Sequence, residues 1–468
     1  MRHLAALLVL VLLTVVASSA ANLPPLVEAA KTGNRDSIRT LLQKGANAND
    51  ADGDGTTALH WASYRNDLES ADMLLRAGAK VNATSDLGVT PLWTASQNGS
   101  EAMVKRLLQA GADPNIALIS GESPIMVASR GGYAGVVEQL AAKGANVNAR
   151  GTRGQTALMW AAAEKHPEVV KVLLAHKPDL RLKTDTYEEV MAIEPHAAPG
   201  NSRSIPHGGE TALLFAARSG DAASTKLMLD AGADPNDADA WGVSATTLAM
   251  HSNFTDVAIL LIDKGADPNA EKAGMTALHN AIMYRNDRVV AALLAHGSDP
   301  NITLKNWTPE RRTANDMNYA REVVGASPLW LAARNLSPSI MKMLLDKGAD
   351  PKFIQRGENY TQGTDFGNVL HKNVTTPLMA ALGVGGGHAW VDLPTGAEKE
   401  ALTLECVKLA AAPGVDLNLA NDDGKTALDA ANSLRYAAVI KYLTDLGAKA
   451  GTTPTGGGRG ARGARGGQ

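Results

Sequence analysis

The chain has 468 residues, with 45 Lys and Arg against 48 Asp and Glu, and a formal net charge of −3. That balance excludes a protein whose bulk charge seeks nucleic acid or an anionic membrane surface. Hydrophobic residues make up 45% of the chain but aromatic residues only 4%, and there is one cysteine, so the core is Ala, Leu and Val without an intramolecular disulfide.

Residues 1–21 open with Arg2, continue through an apolar run over 4–16 and end in small residues, the pattern of a secretory signal peptide. A membrane span needs about twenty apolar residues, so cleavage is expected and an uncleaved anchor is the alternative. No later segment is apolar enough to span. The mature chain is expected in the periplasm or outside the cell.

From residue 22 the chain repeats. Thr57, Thr90, Ser123 and Thr156 follow one another at intervals of 33, opening the blocks TALH, TPLW, SPIM and TALM. The block returns at Thr211, Ser244, Thr276, Ser327, Thr376 and Thr426, and counting back from Thr57 reaches PPLVEAA at Pro24, eleven units in all. A Thr or Ser before a helix accepts a hydrogen bond from a first-turn amide, and Pro91, Pro124, Pro328 and Pro377 sit where a missing amide costs nothing. Leucine pairs such as Leu74 and Leu75 end a second helix, and glycines such as Gly78, Gly111 and Gly144 close it in the left-handed conformation. Asp-Pro-Asn at 113–115, 234–236 and 267–269 turns the chain into the next unit. Each unit therefore reads helix, short turn, helix, hairpin.

With its 33-residue period and its TPLH-like and LLxxGAxxN-like marks, this pattern resembles the ankyrin repeat, over about residues 22–449. The resemblance implies an all-α repeat solenoid of helix-turn-helix units with β-hairpin finger loops, whose concave face binds proteins. It also implies that His60 and His279, at the fourth block position, act as hydrogen-bonding bridges. Four intervals exceed 33, by 22, 18, 16 and 17 residues, which places insertions near 182–206, 302–322, 353–372 and 383–399. The first three lengthen fingers; the fourth separates the two helices of one unit. They carry Trp307, Arg311, Arg312, Tyr319, Phe353, Tyr360 and Phe366, residue types that binding hot spots favour; the alternative is that the rings fold back to cover the solenoid.

Chemistry is sparse. No GxSxG, Walker loop or HExxH occurs, and His196 and His207, with Glu188, Glu189 and Glu194 nearby, match no metal spacing. No catalytic residue, cofactor or metal is expected. Cys406 reads as a small buried hydrophobe. The Gly/Arg-rich tail over 450–468, with Arg459, Arg462 and Arg465, resembles RNA-binding segments, but an exported chain gives it no target, so no nucleic acid is expected.

Trp61 and Trp160 are expected to pack between repeats. The variable positions further along the inner helices are expected to meet a partner: Tyr64, Arg65, Gln97, Asn98, Arg130, Arg218, His251, Tyr284, Arg334 and Asn335. Finger positions add Leu87, Val89, Ile119, Arg153 and Trp241, with Trp307 on a long finger. The expected function is that of an exported, monomeric interaction module or scaffold. The alternatives are a protective binder of a co-exported enzyme and a hydrolase or metal site hidden in the insertions.

Overall fold

The structure, a computed structural model, describes residues 23–192, 202–306, 319, 321–362, 368–386 and 391–451. The chain divides into two compact units, residues 1–185 with 210–233 and residues 186–209 with 234–468.

In the first unit the helices alternate between two layers. The inner layer is α1 (Pro25–Thr32), α3 (Ala58–Tyr64), α5 (Pro91–Gln97), α7 (Pro124–Arg130), α9 (Ala157–Ala163) and α11 (Ala212–Ser219). The outer layer is α2 (Arg35–Gln43), α4 (Leu68–Arg76), α6 (Glu101–Gln109), α8 (Ala134–Ala142), α10 (Pro167–Ala175) and α12 (Ala222–Asp230). Each helix packs on its own pair-mate and on the next helix of its layer. The second unit repeats the plan, with α13 (Ala245–His251), α15 (Ala277–Met283), α17 (Pro328–Arg334), α19 (Pro377–Ala381) and α21 (Ala427–Leu434) inside. Outside them lie α14 (Thr255–Asp263), α16 (Asp287–Ala295), α18 (Pro338–Asp346), α20 (Gly396–Ala410) and α22 (Ala437–Asp445).

The layers differ because their sequences differ. Inner helices are short and apolar nearly all round: every residue of α15 is buried, and in α5 only Gln97 is exposed. Outer helices bury one stripe, such as Met103, Val104, Leu107 and Leu108 of α6, and turn their charged residues to solvent. Capping fixes where each begins. Thr90 Oγ1 accepts from the Trp93 amide at 3.0 Å, and Asn34, Asp67 and Ser100 cap the outer helices in the same way. Each such cap is worth about 1 kcal/mol. Asp67 also accepts twice from Arg35 Nε of the neighbouring repeat, at 2.9 and 3.0 Å. Partial burial works against its charge, but the Arg35 and Ser70 hydrogen bonds outweigh it and hold the carboxyl below its usual range.

Successive repeats are also clipped through asparagine. Asn82 Oδ1 accepts from the Asp113 amide at 2.9 Å while its Nδ2 donates to Gly111 O at 3.3 Å, and Asn115 does the same one repeat later. His60 behaves as the resemblance implies. The Thr57 amide donates to its Nδ1 at 3.1 Å, so Nε2 carries the proton and bridges to Val89 O at 2.9 Å. His279 repeats this with Thr276 and Ile302.

Among the described residues, two insertions add strands to the helical repeats. Strands β1 (Tyr187–Ala192) and β2 (Ser202–His207) pair antiparallel, as do β3 (Gln355–Gln362) and β4 (Asn368–Thr375). Between α19 and α20 the chain runs from Leu382 to Thr395 before helix resumes. Among the described residues no helix is long and apolar enough to cross a membrane. Cys406 is buried, and burial pushes its thiol up to about 12, so it packs as a hydrophobe.

Candidate partner-binding face

In the first unit the helix-start block governs which inner-helix side chains reach solvent. The fourth block residue points into the stack: Trp93 is buried, as are Met126 and Met159. The fifth residue varies: Thr94 and Val127 are buried, whereas Trp61, Trp160 and Phe215 are half-buried, so the rings expected to pack between repeats are only partly covered. Each has a cation beside it. Lys31 Nζ lies 5.4 Å from the Trp61 ring, Arg130 5.1 Å from the Trp160 ring, and Arg218 5.5 Å from the Phe215 ring of its own helix. Such contacts contribute about 0.5–1 kcal/mol where exposed. The arginines are held from behind by acids that precede the block, Glu122 to Arg130 at 2.6 Å and Glu210 to Arg218. Sequence reading missed Trp61, Trp160, Phe215 and the two glutamates as one pattern. The repeated spacing of Glu just before the block and Arg at its far end was the signal.

Beyond the rings lie the expected contact positions. Tyr64 is 58% exposed and meets Trp61 edge-on at 5.9 Å. Asn98 and Gln97 are exposed, and Asn98 Nδ2 donates to Tyr64 O at 2.8 Å, which links neighbouring helices. Arg65 reaches back to Lys31 O at 3.2 Å. Arg153 is exposed on a finger with a left-handed φ of 56°. Leu87 and Ile119 are 61% and 77% exposed at neighbouring finger tips, whereas Val89 is half-buried. The first unit thus brings Tyr64, Arg65, Gln97, Asn98, Arg130 and Arg218 to one series of inner helices.

In the second unit the same positions are largely occupied. Asn335 is buried, 1% exposed, with Nδ2 donating to Ile282 O at 3.5 Å, which corrects its assignment as a contact residue. The reason is local. Ser327 and Leu336 place Asn335 at the turn between α17 and α18, where the preceding repeat covers it. Arg334 donates from Nε to Gly386 O at 3.0 Å, and burial lowers its pKa. Tyr284 is half-buried, its hydroxyl donating to His251 O at 2.5 Å, and burial raises its pKa. His251 and Trp241 are half-buried. Tyr319 takes the second of the two readings open to the insertion rings and folds back onto the stack, enclosed, with its hydroxyl donating to Asn280 Oδ1 at 2.8 Å. Trp307, Arg311, Arg312, Phe366 and His196, and the side chain of Tyr360, lie outside the described residues.

The insertions converge on α17. Gln355 Nε2 donates to Glu322 O and Val324 O at 2.9 and 3.0 Å. Thr375 Oγ1 donates to Gln355 Oε1 at 2.9 Å and accepts from Trp330 Nε1 at 3.0 Å. Among the described residues no group of three or more His, Cys, Asp and Glu could hold a metal ion. His207 comes within 3.4 Å of Glu189 and stacks on Tyr187, which is a hairpin contact and not a ligand set.

The chain is similar to the Transient receptor potential cation channel subfamily A member 1 homolog of Caenorhabditis elegans, 26% identical over 151 residues. The match covers 32% of this chain and 12% of that protein, so it bears on the repeats alone. The sequence model of ankyrin repeats in three copies matches residues 3–86, 26–117, 92–184, 213–304 and 273–355. These matches extend over more than half of the chain and coincide with the two-layer stacks, and the chain belongs to the ankyrin-repeat family.

Proposed function

We propose that this ankyrin-repeat protein is an exported interaction module that holds a partner protein on the inner helices and fingers of its first unit. Ankyrin repeats indicate protein–protein interaction, and a stack of this kind leaves solvent-facing side chains on only part of each repeat. The observation that carries the reading is exposed Tyr64, Gln97 and Asn98 on the same series of helices as the half-buried rings Trp61, Trp160 and Phe215. Aromatic and arginine side chains at a partly wet surface are the groups that anchor interfaces. This reading sets the partner against residues 57–218. Export rests on the pattern of residues 1–21, which also favours a periplasmic or secreted location and a partner that shares it. A protective role toward a co-exported enzyme is the same binding with an enzyme as partner.

A photo-crosslinking residue placed at Tyr64 or Gln97, in protein produced in its native host, should yield an adduct of discrete mass. The same residue at Lys105, exposed on outer helix α6, should not. Adducts of equal yield at all three positions, or at none, would overturn the assignment. N-terminal sequencing of the exported fraction tests the leader, and an intact Met1 on most of that material would remove the argument for export.

A further inference from the structure

The finger tips of the first unit form a continuous strip whose chemistry changes along its length. The tips are joined by hydrogen bonds: the Asp86 amide donates to Asp54 O at 2.8 Å, the Ile119 amide to Leu87 O at 3.1 Å, and the Thr152 side chain from Oγ1 to Ser120 O at 3.1 Å. Glycine permits this closeness. Gly88 has φ 80°, and a Cβ there would stand 3.0 Å from Ala117 O of the next finger. The first finger carries Asp50, Asp52 and Asp54 with no Lys or Arg between 45 and 64. The second carries exposed Asp86 beside exposed Leu87, the third Leu118 and exposed Ile119, and the fourth Arg150 and Arg153, both exposed. Arg150 reaches Asp185 of the following finger at 2.7 Å, which leaves the fourth tip basic but moderated. The strip therefore runs from acidic through apolar to basic.

We infer that this strip docks an extended segment of the partner protein that is basic at one end, apolar in its middle and acidic at the other. The inference rests on the proposed function above and adds the partner's chemistry and orientation to it. Complementary charge at both ends sets the direction of the segment, because reversal would set like charges against each other. Leu87 and Ile119 supply the apolar centre, and their exposure on a turn is otherwise unfavourable in water. The span also fits. Neighbouring inner helices pack roughly 8–10 Å apart, so three steps between four fingers cover roughly 24–30 Å, which an extended chain at about 3.3 Å per residue crosses in about seven to nine residues.

The test is selection of random twelve-residue peptides displayed on phage against the purified repeat protein. Wild type should enrich peptides ordered basic, apolar, acidic. An Asp52→Lys and Asp86→Lys double variant should remove the preference for basic residues at that end and leave the apolar centre unchanged. Ile119→Asp should weaken the enriched peptides roughly tenfold or more. Asp86 and Ile119 are exposed and Asp52 is half-buried, and a thermal melt matching wild type establishes that each variant is folded. No enrichment, or enriched sequences indifferent to the charge reversal, overturns the inference. If Tyr64 and Gln97 still crosslink to the native partner in that event, the interaction module stands and only the finger strip fails. If they do not, both readings fail.

Discussion

The regular stretch 57–185 and the interrupted stretch 276–386 are written with the same helix-start blocks, yet they treat the inner face differently. In the first, Tyr64, Gln97 and Asn98 remain in solvent and the fifth-position rings are half-exposed. In the second, the equivalent region is covered: Tyr319 is enclosed on Asn280, Gly386 takes the guanidinium of Arg334, and Thr375 takes the indole of Trp330. The difference teaches that an insertion on the finger side is not automatically a binding arm. Three insertions here spend part of their polar and aromatic content on the repeats from which they spring. A repeat stack tolerates long insertions because each unit depends only on its neighbours, and such chain lowers its free energy further by burying what it can against them.

The most forceful way to break this comparison is at tryptophan. Trp330 is fully buried, and its N–H is satisfied by Thr375, so Trp330→Ala should cost about 4 kcal/mol. Trp160 keeps one side open to Arg130, so Trp160→Ala should cost only about 1–2 kcal/mol. Urea unfolding of the two variants decides this, and equal losses would show that the two stretches are packed alike.

A second contrast concerns pH. The Thr276 amide donates to Nδ1 of His279, so the ring is neutral in the folded chain, and burial lowers its pKa from 6.5 to about 4, with the Ile302 carbonyl and Glu271 opposing. The unfolded chain therefore takes up the proton first as pH falls. This contribution is fully present above the unfolded value of 6.5 and is lost as pH falls toward about 4, by up to about 3 kcal/mol. His60 has a pKa lowered in the same direction, burial again being the main cause. Met occupies the same block position at Met126, Met159 and Met379, so His279→Met should flatten the stability profile between pH 6.5 and 4. An unchanged slope would mean that the ring is not held neutral.

Smaller effects sharpen the contrast between a covered and an open face. Tyr319→Phe removes a buried hydrogen bond to Asn280 and should cost about 1–2 kcal/mol, read from the thermal midpoint. Tyr64→Ala, at an exposed ring, should move stability by less than about 1 kcal/mol while removing the partner crosslinked nearby. A Tyr64 variant that loses as much stability as the Tyr319 variant would remove the distinction.

Much of the architecture was legible in the sequence because its signals are local. Thr90 caps its helix with its own hydroxyl, Gly88 takes a positive φ that few other residues accept, and His60 bridges one repeat to the next through atoms set by the block. These depend on spacing, and a 33-residue period repeats the spacing. The half-exposed setting of Trp61 and Trp160 was less legible, since an apolar ring on a short helix looks the same in sequence whether one flank or both are covered.

The sequence by itself determined the repeat, the helix boundaries and the places where the period is broken, because caps, glycines and apolar pairs act within a few residues of one another. Only the tertiary structure decided that Asn335 and Tyr319 are inside, that Arg130 and Arg218 lie over aromatic rings, and that Gln355, Thr375 and Trp330 close one network. Those outcomes depend on which distant segment lies alongside, and burial belongs to the pair of surfaces that meet and not to either residue alone.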